Sequence, residues 1–334
     1  MRFVVGVDGG GTKTAAAVVG DDLREIGTGA AGPSNYRSVG MEAASQGILE
    51  AIERALAAAN ITLDDVAAIC MCLSGFDTEL DLPVPQRAVT LLGFTGAVIF
   101  ENDVVGAWGG VTGGDPGIVA IAGTGATALG MNDKGELWRV DGWDYILGDA
   151  GSGYRIGLDG IHAAMKMLDG RMAPSRLLTK LASFYGVDDA LGMRRLADSG
   201  TLGKLHVADF SRHVAEAAAE GDATAQAILR QAADDIAADV EAIVNRLNMR
   251  DIAFPIGAVG SVFKSTEYVL QPLLARLAQI APRAAFSAPR YPPEVGAAVV
   301  ARRRLAAGDL GSWTLGGGQR RILRSFQVSQ LKIG

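Results

Sequence analysis

The sequence predicts an α/β protein of two like domains, duplicated βββαβαβα units around a central cleft. Three observations carry that expectation. At 334 residues the chain is longer than one hydrophobic core usually organises. Its opening runs strand, strand, strand, helix, strand, helix, strand. After the loop cluster "VTGGDPG" the order strand, glycine turn, strand begins again, a repeat of turn chemistry and element order rather than of residue identity.

Taken in order, "RFVVGVD", "TKTAAAVVG" and "REIGTGAAG" are short apolar runs bounded by glycine or acid, and are expected as three consecutive strands. "SVGMEAASQGILEAIERALAAAN" carries apolar residues at helical spacing, and "VAAICMCLSG" is expected as a buried strand. A second helix near "VPQRAVTLLG" and a strand at "GAVIFEND" complete the unit. In the second domain "GIVAIAG", the turn "GTG", "ATALGMN" and a strand near "GELWRVDG" repeat the opening. Ile156 to Asn248 is nearly all helical pattern, and the acidic face of "DATAQAILRQAADDIAADVEAIVNRLN" is expected to be solvated. "AFPIGAVGSVF" is a strand entering a third glycine turn, and "EVGAAVVARRRLAAG" a late helix. The expected domains are 1–115 and 116–308, the second carrying a helical insertion and a last helix able to pack back on the first. A glycine-rich basic tail, 309–334, has no assigned role.

Hydrophobic residues make up 49% and charged residues 20%, with 44 glycines against 11 prolines, the balance of a soluble α/β chain rich in tight turns. The net charge of -6 and the absence of a long basic face before the tail leave counterion release little to act on, so a small-molecule partner is expected and no nucleic acid. Met1 and Arg2 lead straight into a strand, and no apolar run reaches the roughly 18 residues that span a bilayer. No membrane association and a cytoplasmic location are therefore expected. Cys70 and Cys72 fall on one face of a strand and are expected as core residues. His162, His206 and His213 show no metal-ligand spacing.

The stretch "VVGVDGGGTKTAAAVVG", Val4 to Gly20, is overbuilt for a hairpin, which needs only a two-residue turn. Gly9, Gly10 and Gly11 let backbone N–H groups approach an anion, with Thr12 and Thr14 adding hydroxyls beside the cation of Lys13. Asp8 at the strand end then makes sense as a ligand of Mg²⁺ through water, the ion that accompanies nucleotide phosphates. The Walker pattern is absent, because the lysine precedes a strand and not a helix. "AIAGTGATALG", Ala120 to Gly130, supplies a second hairpin of the same kind with Gly123, Thr124 and Gly125. "GAVGSV" ends a later strand with a third such turn.

Together "DGGGTKT", "END", "AGTGATALG", "GWDYILGDAGSGYRIG" and "GAVGSV" resemble the signatures of the BadF/BadG/BcrA/BcrD ATPase and N-acetylglucosamine kinase family, within the actin and hexokinase superfamily. The resemblance covers residues 3 to about 305 and leaves the tail outside. It implies ribonuclease H-like, actin-type domains that bind ATP with Mg²⁺. Gly9 to Thr14 and Gly123 to Gly125 would hold the phosphates, with Gly257, Gly260 and Ser261 beside the adenosine. It further implies a kinase acting on N-acetylglucosamine or glucosamine at the 6-hydroxyl, commonly as a homodimer, with Asp103 as the base that takes the sugar proton. That chemistry is sensible for phosphoryl transfer, which asks a protein for positioning, charge stabilisation and one proton acceptor. Asp103 also ends a strand and opens a helix, a place where an aspartate can serve as N-cap.

The sugar contacts implied are Asn35, Ser74, Gly75, Asp103, Gly142, Trp143 and Asp149. Two departures stand out. Tyr36 occupies the place of a family histidine, and "GDAGSG" puts Ala150 where the family has glutamate. Two other classes share parts of this pattern: an ATPase that activates a reductase or dehydratase through a shared iron–sulfur cluster, and a nucleotide-dependent sugar sensor. The activators carry cysteines in segments that here read "GDAGSGYR" and "IFENDVVG", which contain none.

If both phosphate turns grip one nucleotide, the domains close on substrate and expel water. X-ray scattering should show compaction when an ATP analogue and an accepted sugar are both present; an unchanged radius of gyration would count against closure.

Overall fold

A computed structural model describes residues 3–308, together with 312–313 and 322–323. Most of the basic tail singled out in the sequence therefore lies outside the described residues. In chain order the strands β1–β5 are Phe3–Gly9, Thr14–Val19, Glu25–Ala31, Val66–Leu73 and Ala97–Asn102, and β6–β10 are Gly117–Ala122, Ala126–Met131, Leu137–Asp141, Pro255–Val259 and Ala285–Phe286. The helices α1–α4 are Tyr36–Val39, Met41–Ala59, Pro83–Leu92 and Asp103–Thr112, and α5–α8 are Gly153–Leu168, Arg176–Tyr185, Ala190–Asp198 and Lys204–Asp209. The remaining helices α9–α12 are Ser211–Ala219, Ala223–Arg246, Gln271–Ile280 and Pro293–Ala307.

The chain forms two compact units. One holds the described residues up to Val119, Asp133–Trp138 and those from Ser287 onward; the other holds Ala120–Asn132 and Arg139–Phe286. The sheet of the first runs β3-β2-β1-β4-β5, and that of the second β8-β7-β6-β9-β10. The two orders superimpose element for element, so the duplication expected from turn chemistry is present in the strand topology.

In the first unit β1 pairs antiparallel with β2 and parallel with β4, while β4 pairs parallel with β5. Parallel strands buried on both faces read as continuous apolar runs, which is why "VAAICMCL" shows no alternation. One face packs Val5, Val7, Ile69, Met71 and Phe100 against Ile48 and Ile52 of α2 and Ala88 of α3. The other face meets α12, which lies on β1, β2 and β4 and crosses α4. That crossing is close because glycines line it: a Cβ on Gly296 would come 2.1 Å from the Gly106 carbonyl and 2.4 Å from the Gly110 nitrogen. An ion pair anchors the same layer, with the Arg304 guanidinium 2.6 Å from the Glu101 carboxylate and side-chain exposures of 9% and 0%.

The second unit keeps its sheet under α10, which packs on β7, α5, α9 and α11. Asp222 caps α10 by accepting from the N–H groups of Thr224 and Ala225, as an N-terminal aspartate should. The helix expected across "SVGMEAASQ" is broken at Gly40, whose φ of 82° ends α1 and starts α2. Helix α11 and strand β10 had no counterpart in the sequence reading; β10 is two residues long and held by parallel pairing to β9, too short to leave a pattern.

The α4–α12 crossing sets two effects against each other at one residue. Helix propensity alone makes Gly296→Ala stabilising by about 1 kcal/mol, whereas overpacking against backbone typically costs about 1–3 kcal/mol or more. Backbone cannot swing aside, so the variant should unfold at lower urea concentration than the parent; a raised midpoint would refute the close crossing.

Candidate active site

In the first unit the turn between β1 and β2 is closed by the Gly10 N–H, which donates to the Lys13 carbonyl at 2.9 Å. Gly11, Thr12 and Lys13 stand exposed at its crown. Thr14 differs from its neighbours: it is buried in β2 and its hydroxyl donates to the Gly32 carbonyl at 2.7 Å. The same turn carries two sugar candidates through its backbone. The Gly10 carbonyl accepts from Ser34 and Asn35 N–H at 3.0 and 3.3 Å, and the Gly9 carbonyl from Ser74 N–H at 2.7 Å. Asn35 Nδ2 donates to the Ser74 hydroxyl at 3.5 Å, and Gly75 lies against the Asn35 amide. Asn35, Ser74 and Gly75 therefore form one group beside the β1–β2 turn.

Asp103 is the first residue of α4 and is half-buried, but it is not the cap. Asn102 takes that place, its side chain accepting from Val104 N–H, and its Nδ2 donates to the Phe76 carbonyl at 3.3 Å. Burial, with the charges of Asp103 and Glu294 nearby and Lys13 opposing, pushes the Asp8 carboxyl up to about 7. Asp8 near the end of β1 and Asp103 just after β5 thus feel each other's charge at one end of the sheet, with β4 between their strands. Among the described residues no group of three or more ligating side chains could cage a metal ion. The crowded acids do fit Mg²⁺ held by one carboxylate, waters and phosphate oxygens, because that ion keeps much of its hydration.

Asp81, absent from the sequence-based candidates, organises the loops next to Asn35 and Gly75. It accepts from Tyr36 phenol and Arg37 guanidinium, and from the N–H groups of Asp77 and Thr78 at 2.9 and 2.7 Å. Burial would raise its carboxyl, but those bonds hold it below the ordinary range. Tyr36, which stands for the family histidine, is thereby tied inward to the Thr78 loop. The available signal was the spacing Thr78 to Asp81, a capping box. Cys70 and Cys72 are fully buried with their sulfurs 3.8 Å apart. Burial holds the Cys72 thiol well above its usual range, so both are packing groups.

In the second unit the turn Gly123 to Gly125 rests on the start of α5, whose Gly153 and Tyr154 N–H groups donate to the Gly123 and Thr124 carbonyls at 2.7 and 3.2 Å. Asp149 comes to the same turn: it accepts from Ala126 N–H at 3.2 Å and from Lys204 Nζ at 3.0 Å. Burial raises its carboxyl against the pull of Lys204. Asp141 shapes the loop before it, accepting from the N–H groups of Gly142, Asp149 and Ala150 at 2.7, 2.8 and 2.8 Å. Trp143 is 50% exposed and stacked under the Arg139 guanidinium at 4.9 Å. Asp141 and Lys204 escaped the sequence reading. The Asp-Gly step at 141 was a turn signal, whereas Lys204 lies 55 residues from Asp149 and left none.

The third turn ends β9 at Gly260. Its φ is 126°, and a Cβ there would lie 2.2 Å from the Ala122 carbonyl; only glycine allows both that conformation and that approach. Ser261 and Val262 then line a cavity of about 500 Å³, faced across by Arg212, Ala215 and Glu216 of α9. Gly257 is buried in β9, so Ser261 is the adenosine candidate that reaches the cavity.

The model of the BadF/BadG/BcrA/BcrD ATPase family matches residues 5–301. The chain is 29% identical over 302 residues to an N-acetylmuramic acid/N-acetylglucosamine kinase of Clostridium acetobutylicum, covering 90% of this chain and 99% of the relative. It is 30% identical over 314 residues to an N-acetyl-D-glucosamine kinase of Dictyostelium discoideum, covering 90% and 98%. Among solved structures it is similar to a candidate N-acetylglucosamine kinase from Chromobacterium violaceum, with a TM-score of 0.73, 27% identity, and coverage of 90% and 99%. A ROK family glucokinase from Streptomyces griseus in complex with glucose and AMPPNP, at a TM-score of 0.55, 21% identity and coverage of 90% and 99%, shares the fold. A family match over residues 5–301, nearly the whole described chain, makes this protein a member of the BadF/BadG/BcrA/BcrD ATPase family.

Proposed function

We propose that the protein is an ATP-dependent hexosamine kinase that phosphorylates N-acetylglucosamine or glucosamine at the 6-hydroxyl. The observation that carries this reading is the placement of two acids at one end of the first sheet, Asp8 near the end of β1 and Asp103 opening α4 directly after β5. A proton acceptor for a hydroxyl and an acid suited to the nucleotide's magnesium share that end of the sheet, where the Gly9 and Gly10 carbonyls hold Ser74 and Asn35. Relatives named for N-acetylglucosamine and glucosamine kinase activity support the same substrate class.

The Asp103 carboxylate takes the proton from the sugar hydroxyl as that oxygen attacks the γ-phosphorus. The bond from γ-phosphorus to the bridging oxygen breaks, and ADP leaves. Mg²⁺, held by Asp8 through water, would neutralise charge on the phosphates. Backbone N–H groups of Gly9 to Lys13 and of Gly123 to Gly125 serve the phosphates. Thr14, with its hydroxyl committed to Gly32, serves through its backbone and by fixing the turn. Asn35 and Ser74 fix sugar hydroxyls, and groups that do so reject analogues lacking them. Trp143, an exposed ring beside Gly142, offers an apolar face to the sugar. Asp149 steadies the second turn and the sugar loop, while Ala150 presents a methyl group where the family has a carboxylate. Assembly as a cytoplasmic homodimer belongs to the same reading.

Asp103→Asn tests the base. Asn102 remains as cap, so folding and ATP binding should persist while sugar phosphorylation falls by about 10²- to 10⁴-fold. Transfer within a few-fold of the parent, measured by ADP release with N-acetylglucosamine, would assign Asp103 to structure.

The phosphate turns are tested separately. Asp8→Ala removes the magnesium ligand, and Gly125→Trp drives an indole into the Asp149 carboxylate, which a Cβ would meet at 2.9 Å. Each should abolish nucleotide turnover, and normal turnover in either variant would remove its proposed site.

A further inference from the structure

The cavity beyond Ser261 has apolar walls from Ile156, Ala215, Leu229 and Val262, with charged groups set among them. A flat, heteroaromatic ligand suits such a slot: apolar faces for the ring and a few polar groups for its edge. Glu216 is one of those groups and is unusually well held for a surface carboxylate. Its Oε2 accepts from Lys180 Nζ at 3.1 Å and from His213 Nδ1 at 3.0 Å. Those bonds, first from Lys180 and then from His213, keep the carboxyl below its ordinary range. Neither bond uses Oε1. The side chain is therefore a fixed anion with an oxygen to spare, placed on the cavity wall by α6 and α9.

We propose that Glu216 selects the nucleobase of the phosphoryl donor by accepting a hydrogen bond from the exocyclic amine of adenine. The proposal rests on the reading that this cavity takes the adenosine of ATP. A carboxylate accepts and cannot donate. It pairs with the amine at position 6 of adenine and opposes the carbonyl oxygen that hypoxanthine and guanine carry there. Anchoring by Lys180 and His213 matters because a preordered side chain loses little freedom on binding. Tyr268 of the opposite wall is likewise held, its hydroxyl accepting from Gln226 Nε2 at 3.3 Å. Glu267 is the second carboxylate of the lining, and it sits on the segment after Ser261 rather than on α9.

The test is steady-state kinetics with N-acetylglucosamine and either ATP or ITP, which differ at position 6. The parent should prefer ATP. Glu216→Gln, whose amide can turn to donate to a carbonyl, should lower the ATP-to-ITP ratio of kcat/KM by about ten- to hundredfold, the worth of a hydrogen bond to a charged group. The change should fall in KM, with kcat for ATP within a few-fold and the melting temperature near that of the parent. Lys180→Met, which removes one anchor and leaves the carboxylate, should move the ratio in the same direction by less and serves if the first variant does not fold. Ala215→Trp fills the slot and should raise KM for both nucleotides. If Ala215→Trp raises both while Glu216→Gln leaves the ratio within about twofold, the cavity takes the base but Glu216 does not select it, and the proposal falls. Loss of the ratio on Glu267→Gln instead, or a parent indifferent to ATP and ITP, overturns it too. Unchanged KM values in Ala215→Trp would reject the cavity as the nucleotide site.

Discussion

Three strand ends of this molecule present backbone N–H groups with no side chain in front of them, and much of the surrounding packing depends on that constraint. Three strands, β1, β6 and β9, end in glycine turns. Each turn is also packed from behind so tightly that an added carbon would collide. A Cβ on Gly9 would lie 2.3 Å from the Ser34 hydroxyl, one on Gly125 2.9 Å from Asp149, and one on Gly260 2.2 Å from the Ala122 carbonyl. Close packing thus holds one glycine of each turn, whereas Gly11 and Gly123 face open space, where backbone N–H groups are free of side chains.

The carboxylates divide into two kinds by what surrounds them. Asp81 and Asp141 accept several hydrogen bonds from backbone N–H groups and so act as hubs for loops that carry the sugar candidates. Asp8 faces other acids, and burial together with Asp103 and Glu294 leaves its charged form costly. Such an imbalance is what a buried acid shows where a cation belongs. Asp81 and Asp141 are satisfied by backbone N–H groups of their own loops, whereas burial and neighbouring acids leave the charge of Asp8 costly.

The strand and turn grammar was legible because it is local. Short apolar runs ending in glycines marked the hairpins, and their recurrence marked the duplication that the two sheet orders display. Asp103 was legible as an acid between a strand and a helix, and the cap that it could also have been is Asn102, one residue earlier. The hubs were harder. Asp81 and Asp141 each begin or close a turn with a recognisable spacing; Asp141 gathers the loop that follows it, whereas Asp81 also holds Tyr36 and Arg37 across 45 and 44 residues, which no local spacing marks.

By itself the sequence determined where the backbone must be bare and where the strands alternate with helices, because both follow from the conformational limits of glycine and from the spacing of apolar residues. Only the tertiary structure decided which polar groups meet. Lys204 reaches Asp149 across 55 residues, and Lys180 reaches Glu216 across 36. It also decided that Thr14 turns inward to Gly32 while Thr12 stays exposed. Hydrogen bonds and ion pairs act over a few ångströms of space and carry no signature in sequence separation, so the composition of the site waits on the packing that brings its parts together.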